Sequence, residues 1–278
     1  MVAANNSLDF KKAGSVAEAI ELSKSGYTIL AGGTWLNCAE RKKLLPYPDK
    51  LVDISALALG AIRKEKDGTI RIGSGITLQE LMDSAETPDA LKKAASHLPN
   101  RNIRNIATLG GNIGANRADS SLIACLMAMD AVIDDTGETV EAYVSREGDE
   151  LITAILIPDS GFSVMSLWEA QSSHSYPTVC AAVGMKKSAE ASGLEIRIAA
   201  GCLSSHVIRL TETEKLISGL SSSEDVRNNI IEIEQCIYDE AQPADDIMGS
   251  ASFKKTQTSA VISKALNLLA SKIRGGAV

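Results

Sequence analysis

The sequence contains neither of the two common phosphate-binding signatures. There is no G-x-x-x-x-G-K-[ST], and no G-x-G-x-x-G behind a first strand. The nucleotide folds built on those loops are set aside. Aromatic residues are scarce, at 4%, and the net charge is −7. The longest basic run, Arg41-Lys42-Lys43, reads as a solvated loop. Nucleic acid is not an expected partner, because binding it needs clustered cations. No apolar run is long enough to cross a bilayer, so no membrane is expected. Met1 to Asn6 lack the basic and apolar regions of a secretory signal. Five cysteines, Cys38, Cys125, Cys180, Cys202 and Cys236, are scattered without a C-x-x-C. They read as reduced thiols of a cytoplasmic protein, and their spacing excludes an iron–sulfur cluster on this chain. His97, His174 and His206 lie far apart, so no metal site is expected.

Two short glycine elements carry most of the information. One is Leu30-Ala31-Gly32-Gly33-Thr34-Trp35-Leu36, and the other is Ala107-Thr108-Leu109-Gly110-Gly111-Asn112-Ile113. Paired glycines let consecutive backbone N–H groups converge, since no Cβ blocks positive φ or the approach of a ligand. Two such loops brought together would grip a pyrophosphate from both sides.

The 278 residues, 45% of them hydrophobic, suit one large domain or two smaller ones. Ser15 to Glu18 form a capping box for a helix that Gly26 stops. Strands are expected over Tyr27–Leu30 and Leu51–Ile54, giving a small α/β unit to about residue 57. Thr69–Gly73 alternates like a strand, and Thr77 to Glu80 form a second capping box for a helix ending near Ser84. Helices follow over Asp89–His97 and Ser120–Asp130, the latter with Asp119 as N-cap. Strands are expected over Ala131–Asp134, Thr139–Val144 and Leu151–Ile157. Beyond Asp159-Ser160-Gly161, three strand candidates (Val164–Ala170, Thr178–Lys186, Leu194–Gly201) precede helices over Thr211–Ser218, Ser223–Tyr238 and Ser250–Lys272. The fold class is α+β. Residues 1–160 form a two-part cofactor domain, a small α/β unit (1–57) plus a larger α+β unit (58–160). Residues 161–278 form a C-terminal domain of a three-stranded sheet with helices. On local grounds Trp35, Trp168 and Cys38 are packing residues, and no nucleophile or acid–base pair stands out, so no catalytic residue is assigned.

The chain resembles the FAD-binding subunit of the molybdenum hydroxylases, the family of xanthine dehydrogenase and carbon monoxide dehydrogenase. The first loop is similar to that family's A-G-G-T/H-x-L, and Ile103 to Ile113 to its I-R-N-x-A-T-x-G-G-N-I. Ile152 to Pro158 resembles the strand closing its flavin domain. Arg197 to Gly201 and Asp246 to Lys255, with G-S-A-x-[YF]-[RK], resemble its C-terminal domain. The resemblance spans essentially the whole chain. It implies non-covalent FAD, with the pyrophosphate wrapped by Leu30, Ala31, Gly32, Gly33, Thr34, Trp35 and Leu36 on one side. Ala107, Thr108, Gly110, Gly111 and Asn112 would stand on the other. It places Asp119 near the ribose or diphosphate and Ile152 against the isoalloxazine. It further implies an oxidoreductase subunit that does not act alone. A molybdenum-cofactor subunit and a [2Fe–2S] subunit would be its partners, with electrons passing to NAD or another acceptor. The chain departs from the NAD-reducing relatives at Glu169, where they usually carry Lys or Arg. The alternative reading is a scaffold subunit of the same fold with weak or no flavin.

Overall fold

The computed structural model describes residues 8–41, 46–172, 175–188 and 193–274. These form three open sheets, each with its own helices. The first sheet belongs to β1 (Asp9–Lys12), α1 (Val16–Lys24), β2 (Thr28–Leu30), α2 (Thr34–Arg41) and β3 (Lys50–Asp53). Its strands are parallel, in the order β1-β3-β2. Parallel neighbours need crossovers, and α1 and α2 supply them. Ser15 caps α1 by accepting the Glu18 N–H, and Gly26, at φ +85°, turns the chain into β2. A small core of Ala13, Ala19, Tyr27, Val52, Ile54 and Leu151 holds this layer.

The second unit runs through β4 (Ile62–Lys64), β5 (Ile70–Gly73), α3 (Leu78–Asp83), α4 (Asp89–Ser96), α5 (Arg101–Arg104), α6 (Leu109–Gly114), α7 (Ser121–Ala128), β6 (Val132–Ile133), α8 (Val140–Ser145) and β7 (Ala154–Ile157). Its strands are antiparallel in the order β4-β5-β7-β6. The Thr77–Glu80 capping box forms at the start of α3, with the Thr77 N–H donating to the Glu80 carboxylate at 2.9 Å and the Glu80 N–H donating to Thr77 Oγ1 at 3.2 Å.

The third unit holds β8 (Ser163–Ala170), β9 (Pro177–Lys187), β10 (Leu194–Gly201), β11 (Ile208–Arg209), α9 (Thr211–Ser218), α10 (Ser223–Asn228), α11 (Ile230–Glu240) and α12 (Ala251–Arg274). Its sheet is antiparallel, in the order β11-β10-β9-β8. Helix α12 covers one face, burying Val261, Ile262, Ala265, Leu266, Leu269 and Ala270. Helix α7, buried along its whole length, covers the other and so joins the second unit to the third. Glycine makes that approach close. A Cβ at Gly184 would lie 2.4 Å from the Ala128 carbonyl oxygen, and one at Gly201 would lie 2.3 Å from that of Ala118.

Four expectations from the sequence need correction. Thr139–Val144 is not a strand: Thr139 accepts the Ala142 N–H at 3.1 Å and opens α8, which buries Val140, Tyr143 and Val144 at helical spacing. Ser120, not Asp119, caps α7, accepting the Ile123 N–H at 3.2 Å. The segment Ser223–Tyr238 is two helices that meet at Asn229 (φ −101°, ψ 16°). The C-terminal sheet has a short fourth strand, β11. Met1 to Asn6, Lys42, Lys43 and His174 lie outside the described residues.

Candidate functional site

Strand β2 ends at Leu30, and the chain turns through Gly32 and Gly33 directly into α2. Gly33 has φ +65°, a left-handed conformation that a Cβ disfavours. Gly32 has no room for a side chain, since a Cβ there would stand 1.9 Å from the Ile106 carbonyl oxygen. The first glycine loop therefore rests on the backbone that leads into the second. The N–H groups of Ala31 to Leu36 make no hydrogen bond to another described residue, and the first helical bond is from Asn37 N–H to Gly33 O, at 3.1 Å. Unbonded N–H groups at a helix start carry partial positive charge and suit an anion.

The second loop is built differently. The N–H groups of Leu109 and Gly110 donate to the Ile76 and Ser74 carbonyls at 3.0 and 2.8 Å. Those of Gly111 and Asn112 donate to Thr108 Oγ1 and Thr108 O at 3.1 and 3.0 Å. These donors anchor α6 beyond the end of β5, and Gly110 is required there because a Cβ would meet the Ser74 Cβ at 2.6 Å. What this loop offers is side chain. Ser120 Oγ donates to Asn112 Oδ1 at 2.6 Å, which leaves the Asn112 amide nitrogen as the free end. The cradle is asymmetric, with backbone donors on the first loop and polar side chains on the second. Thr108→Ala removes the α6 cap and is expected to cost about 1 kcal/mol of stability, measurable by urea unfolding.

A cavity of about 1060 Å³ opens over both loops, large enough for a dinucleotide-sized ligand. Ala31, Gly32, Gly33, Thr34, Trp35, Leu36, Ala107, Thr108, Gly110, Gly111, Asn112, Asp119 and Ile152 all line it. Leu30 does not line it and sits behind Gly33, its Cδ1 3.0 Å from where a Gly33 Cβ would be. Ile152 is only 5% exposed and also belongs to the core.

Among the lining residues to which the sequence assigned no role, three stand out by their contacts. Arg117 is paired with Asp119, its guanidinium 4.1 Å from the Trp35 ring centroid and 5.0 Å from that of Tyr176. Tyr176, the second, has its hydroxyl 3.5 Å from Cys38 Sγ, a contact spanning 138 positions. His97, the third, has Nδ1 2.7 Å from Ser121 Oγ, and its ring stacks on Trp168 at 4.8 Å. Burial pushes its pKa down to about 4, against a smaller opposing pull from Asp119. Its imidazole is therefore neutral at neutral pH. Ser121 is 3% exposed, so this pair is packing and not an exposed nucleophile. No local motif announces Arg117, because its partners on α2 and beside β9 are far away in sequence. Trp168 and Glu169 do not line the cavity, and Glu169 is exposed beside a bulge in β8.

Residues 6–160 match the family model described as the FAD binding domain in molybdopterin dehydrogenase. The chain belongs to that family. Residues 169–269 of this FAD-binding subunit match the CO dehydrogenase flavoprotein C-terminal domain. It is 30% identical to the protein YgfM of Escherichia coli (strain K12) over 260 residues, 91% of this chain and 93% of YgfM. It is 38% identical to the xanthine dehydrogenase FAD-binding subunit of Escherichia coli O157:H7 over 123 residues, 40% of this chain and 41% of that one. Its fold superposes on a chain of the CO dehydrogenase from Oligotropha carboxidovorans with a TM-score of 0.82, covering 95% of this chain and 98% of that chain at 20% identity. The chain is thus an oxidoreductase subunit of the molybdenum hydroxylase type, with FAD as its cofactor. The residues present fit that cofactor, offering a run of free N–H donors, two close-packed glycine turns and one cavity that reaches both. No helix among the described residues is long and apolar enough to cross a membrane.

Proposed function

We propose that this chain is the electron-transfer subunit of a molybdenum hydroxylase complex. It takes electrons from a [2Fe–2S] partner, which is served by a molybdenum-cofactor subunit, and delivers them to NAD or another acceptor. The observation that carries this reading is the unbonded run of N–H groups from Ala31 to Leu36, docked through Gly32 on the second glycine loop. These donors bind the FAD diphosphate, with Thr34, Thr108 and Asn112 adding side-chain contacts. Asp119 faces the ribose or diphosphate region, and Ile152 supplies an apolar wall for the ring. Residues 1–160 hold the cofactor, and residues 161–278 cover α7 from the other side. FAD, when bound, supplies the redox chemistry that joins one-electron donors to a two-electron acceptor. The chain's own task is to position it, shield it from water and set its electrostatics. The closed His97–Ser121 pair and the scattered thiols offer no substrate chemistry of their own, and free thiols suit the cytoplasm.

The test is a flavin titration of the purified chain. One equivalent of FAD should bind, be preferred to FMN, and be released on denaturation. The chain alone should not oxidise purines or other N-heterocycles, whereas the complex with its two partner subunits should. Absence of flavin absorbance after incubation with excess FAD would favour the scaffold reading. Substrate turnover by the chain alone would favour a self-contained oxidase.

A further inference from the structure

The cavity is lined by acids as well as by donors. Asp119, Glu147, Asp149 and Glu150 all face it, and Arg117 is the one Lys or Arg among its described lining residues. An anionic diphosphate entering such a site meets repulsion unless the nearest carboxylate is neutralised. Arg117 is built for that task. Its Nε donates to Asp119 Oδ1 at 2.7 Å, and a terminal nitrogen donates to Asp119 Oδ2, which makes a two-point pair. One face of the guanidinium lies toward Trp35 of α2, and Tyr176 of the third unit approaches within 5.0 Å. The two rings come from different units of the fold, so the guanidinium is pinned where those units meet. Its Nη1 makes no hydrogen bond among the described residues and is left for a ligand oxygen. The pair is three-quarters or more shielded, with side chains 25% and 17% exposed, so solvent screens it weakly.

We infer that Arg117 is a positioning residue of the cofactor site. It neutralises Asp119, holds that carboxylate in place, and presents a free guanidinium edge to the diphosphate, so that an acid-lined cavity accepts a dianionic ligand. This rests on the reading of the cavity as the FAD site.

The experiment compares FAD affinity, by flavin fluorescence quenching, in the wild-type chain, Arg117→Met, Asp119→Asn and the double variant. Arg117→Met leaves an unpaired carboxylate beside the diphosphate and should weaken FAD by about 10- to 100-fold. Asp119→Asn keeps an acceptor for a ribose hydroxyl and removes the negative charge, so FAD should bind at least as tightly as in the wild type. The double variant should recover about tenfold or more of the loss. A merely structural arginine predicts no such rescue, because removing a second partner restores no packing. If Arg117→Met does not fold, Arg117→Lys decides. It keeps the charge without the fork, so it should bind FAD more weakly and with a steeper salt dependence than the wild type. Wild-type affinity in Arg117→Met or, failing that, in Arg117→Lys would overturn the inference while leaving the FAD reading intact, as would failure of Asp119→Asn to rescue. A wild-type chain that binds no FAD would overturn both.

Discussion

Gly32→Ala is expected to strip the chain of FAD. The added methyl would stand 1.9 Å from the Ile106 carbonyl oxygen and 2.7 Å from its carbon. Both are backbone atoms that cannot swing aside as a flexible side chain would. The Ala107 carbonyl beyond them already accepts the Leu78 N–H at 2.8 Å, so the strand of chain under Gly32 is tied to α3. The first loop must therefore lift away from the second. Overpacking of this kind costs about 1–3 kcal/mol of stability, too little to unfold a typical domain. The cofactor loses far more, because a diphosphate held by several N–H donors needs all of them aimed at one place. Gly33→Val acts on the same loop by another route, forcing a branched side chain into φ +65°. In both variants bound flavin should fall by more than about 100-fold in affinity while circular dichroism stays near that of the wild type. Gly219→Ala is the control, since Gly219 caps α9 in the right-handed region, and the cavity does not reach it. Full flavin occupancy in Gly32→Ala would remove the first loop from the binding site.

Local physics was readable in the sequence and long-range contacts were not. The caps at Ser15 and Thr77 were visible because both partners lie within four residues. The Thr77 box forms in full, whereas at Ser15 the side chain caps the Glu18 N–H but the Glu18 carboxylate accepts the Gly14 N–H instead of closing the box. The glycine loops were visible for a similar reason, since adjacent glycines report a backbone constraint directly. That each loop opens at once into a helix was not expected. Leu109–Gly114 contains three glycines and has poor helix propensity, yet Thr108 caps it, and Leu109 and Ile113 are fully buried. Tertiary packing overrides propensity there. Thr139–Val144 misleads in the opposite direction, because Thr, Val and Tyr favour strands. The deciding contacts are the Thr139 cap and the burial of Val140, Tyr143 and Val144. Asp119 and Ser120 both have N-cap side chains. Arg117 takes the Asp119 carboxylate, and the cap falls to Ser120. Thirteen of the fourteen residues selected for the cofactor line one cavity, because they cluster in two short runs. Arg117, Tyr176 and His97 stayed hidden because the rings and thiol that place them in the cavity (Trp35 and Tyr176 around Arg117, Cys38 at Tyr176, Trp168 on His97) come from other units of the fold.

His97 is expected to make folding stability fall in mild acid. In the folded chain burial holds its pKa near 4, below its ordinary 6.5. Above 6.5 the imidazole is neutral in both the folded and the unfolded chain, and pH changes nothing. As pH falls from 6.5 towards 4, the unfolded chain takes up a proton that the folded chain refuses. Folding stability therefore drops through that window, by up to about 3 kcal/mol. The loss comes on the acid side, as it must for a histidine whose folded pKa is depressed. His97→Gln keeps a polar group for the Ser121 hydroxyl, 2.7 Å from Nδ1 in the wild type, and removes the titration. It should be less stable than the wild type at neutral pH, because the stack on Trp168 is lost. The two curves should converge as pH approaches 4.5, since only the wild type has a histidine to protonate. Urea unfolding of both proteins across this range measures the difference directly, and the carboxylates that titrate there cancel between them. A penalty that stays constant with pH would mean that His97 protonates freely in the folded chain. The cavity beside Asp119 would then gain a positive charge in mild acid, and FAD affinity would rise with it. A neutral His97 predicts no such rise.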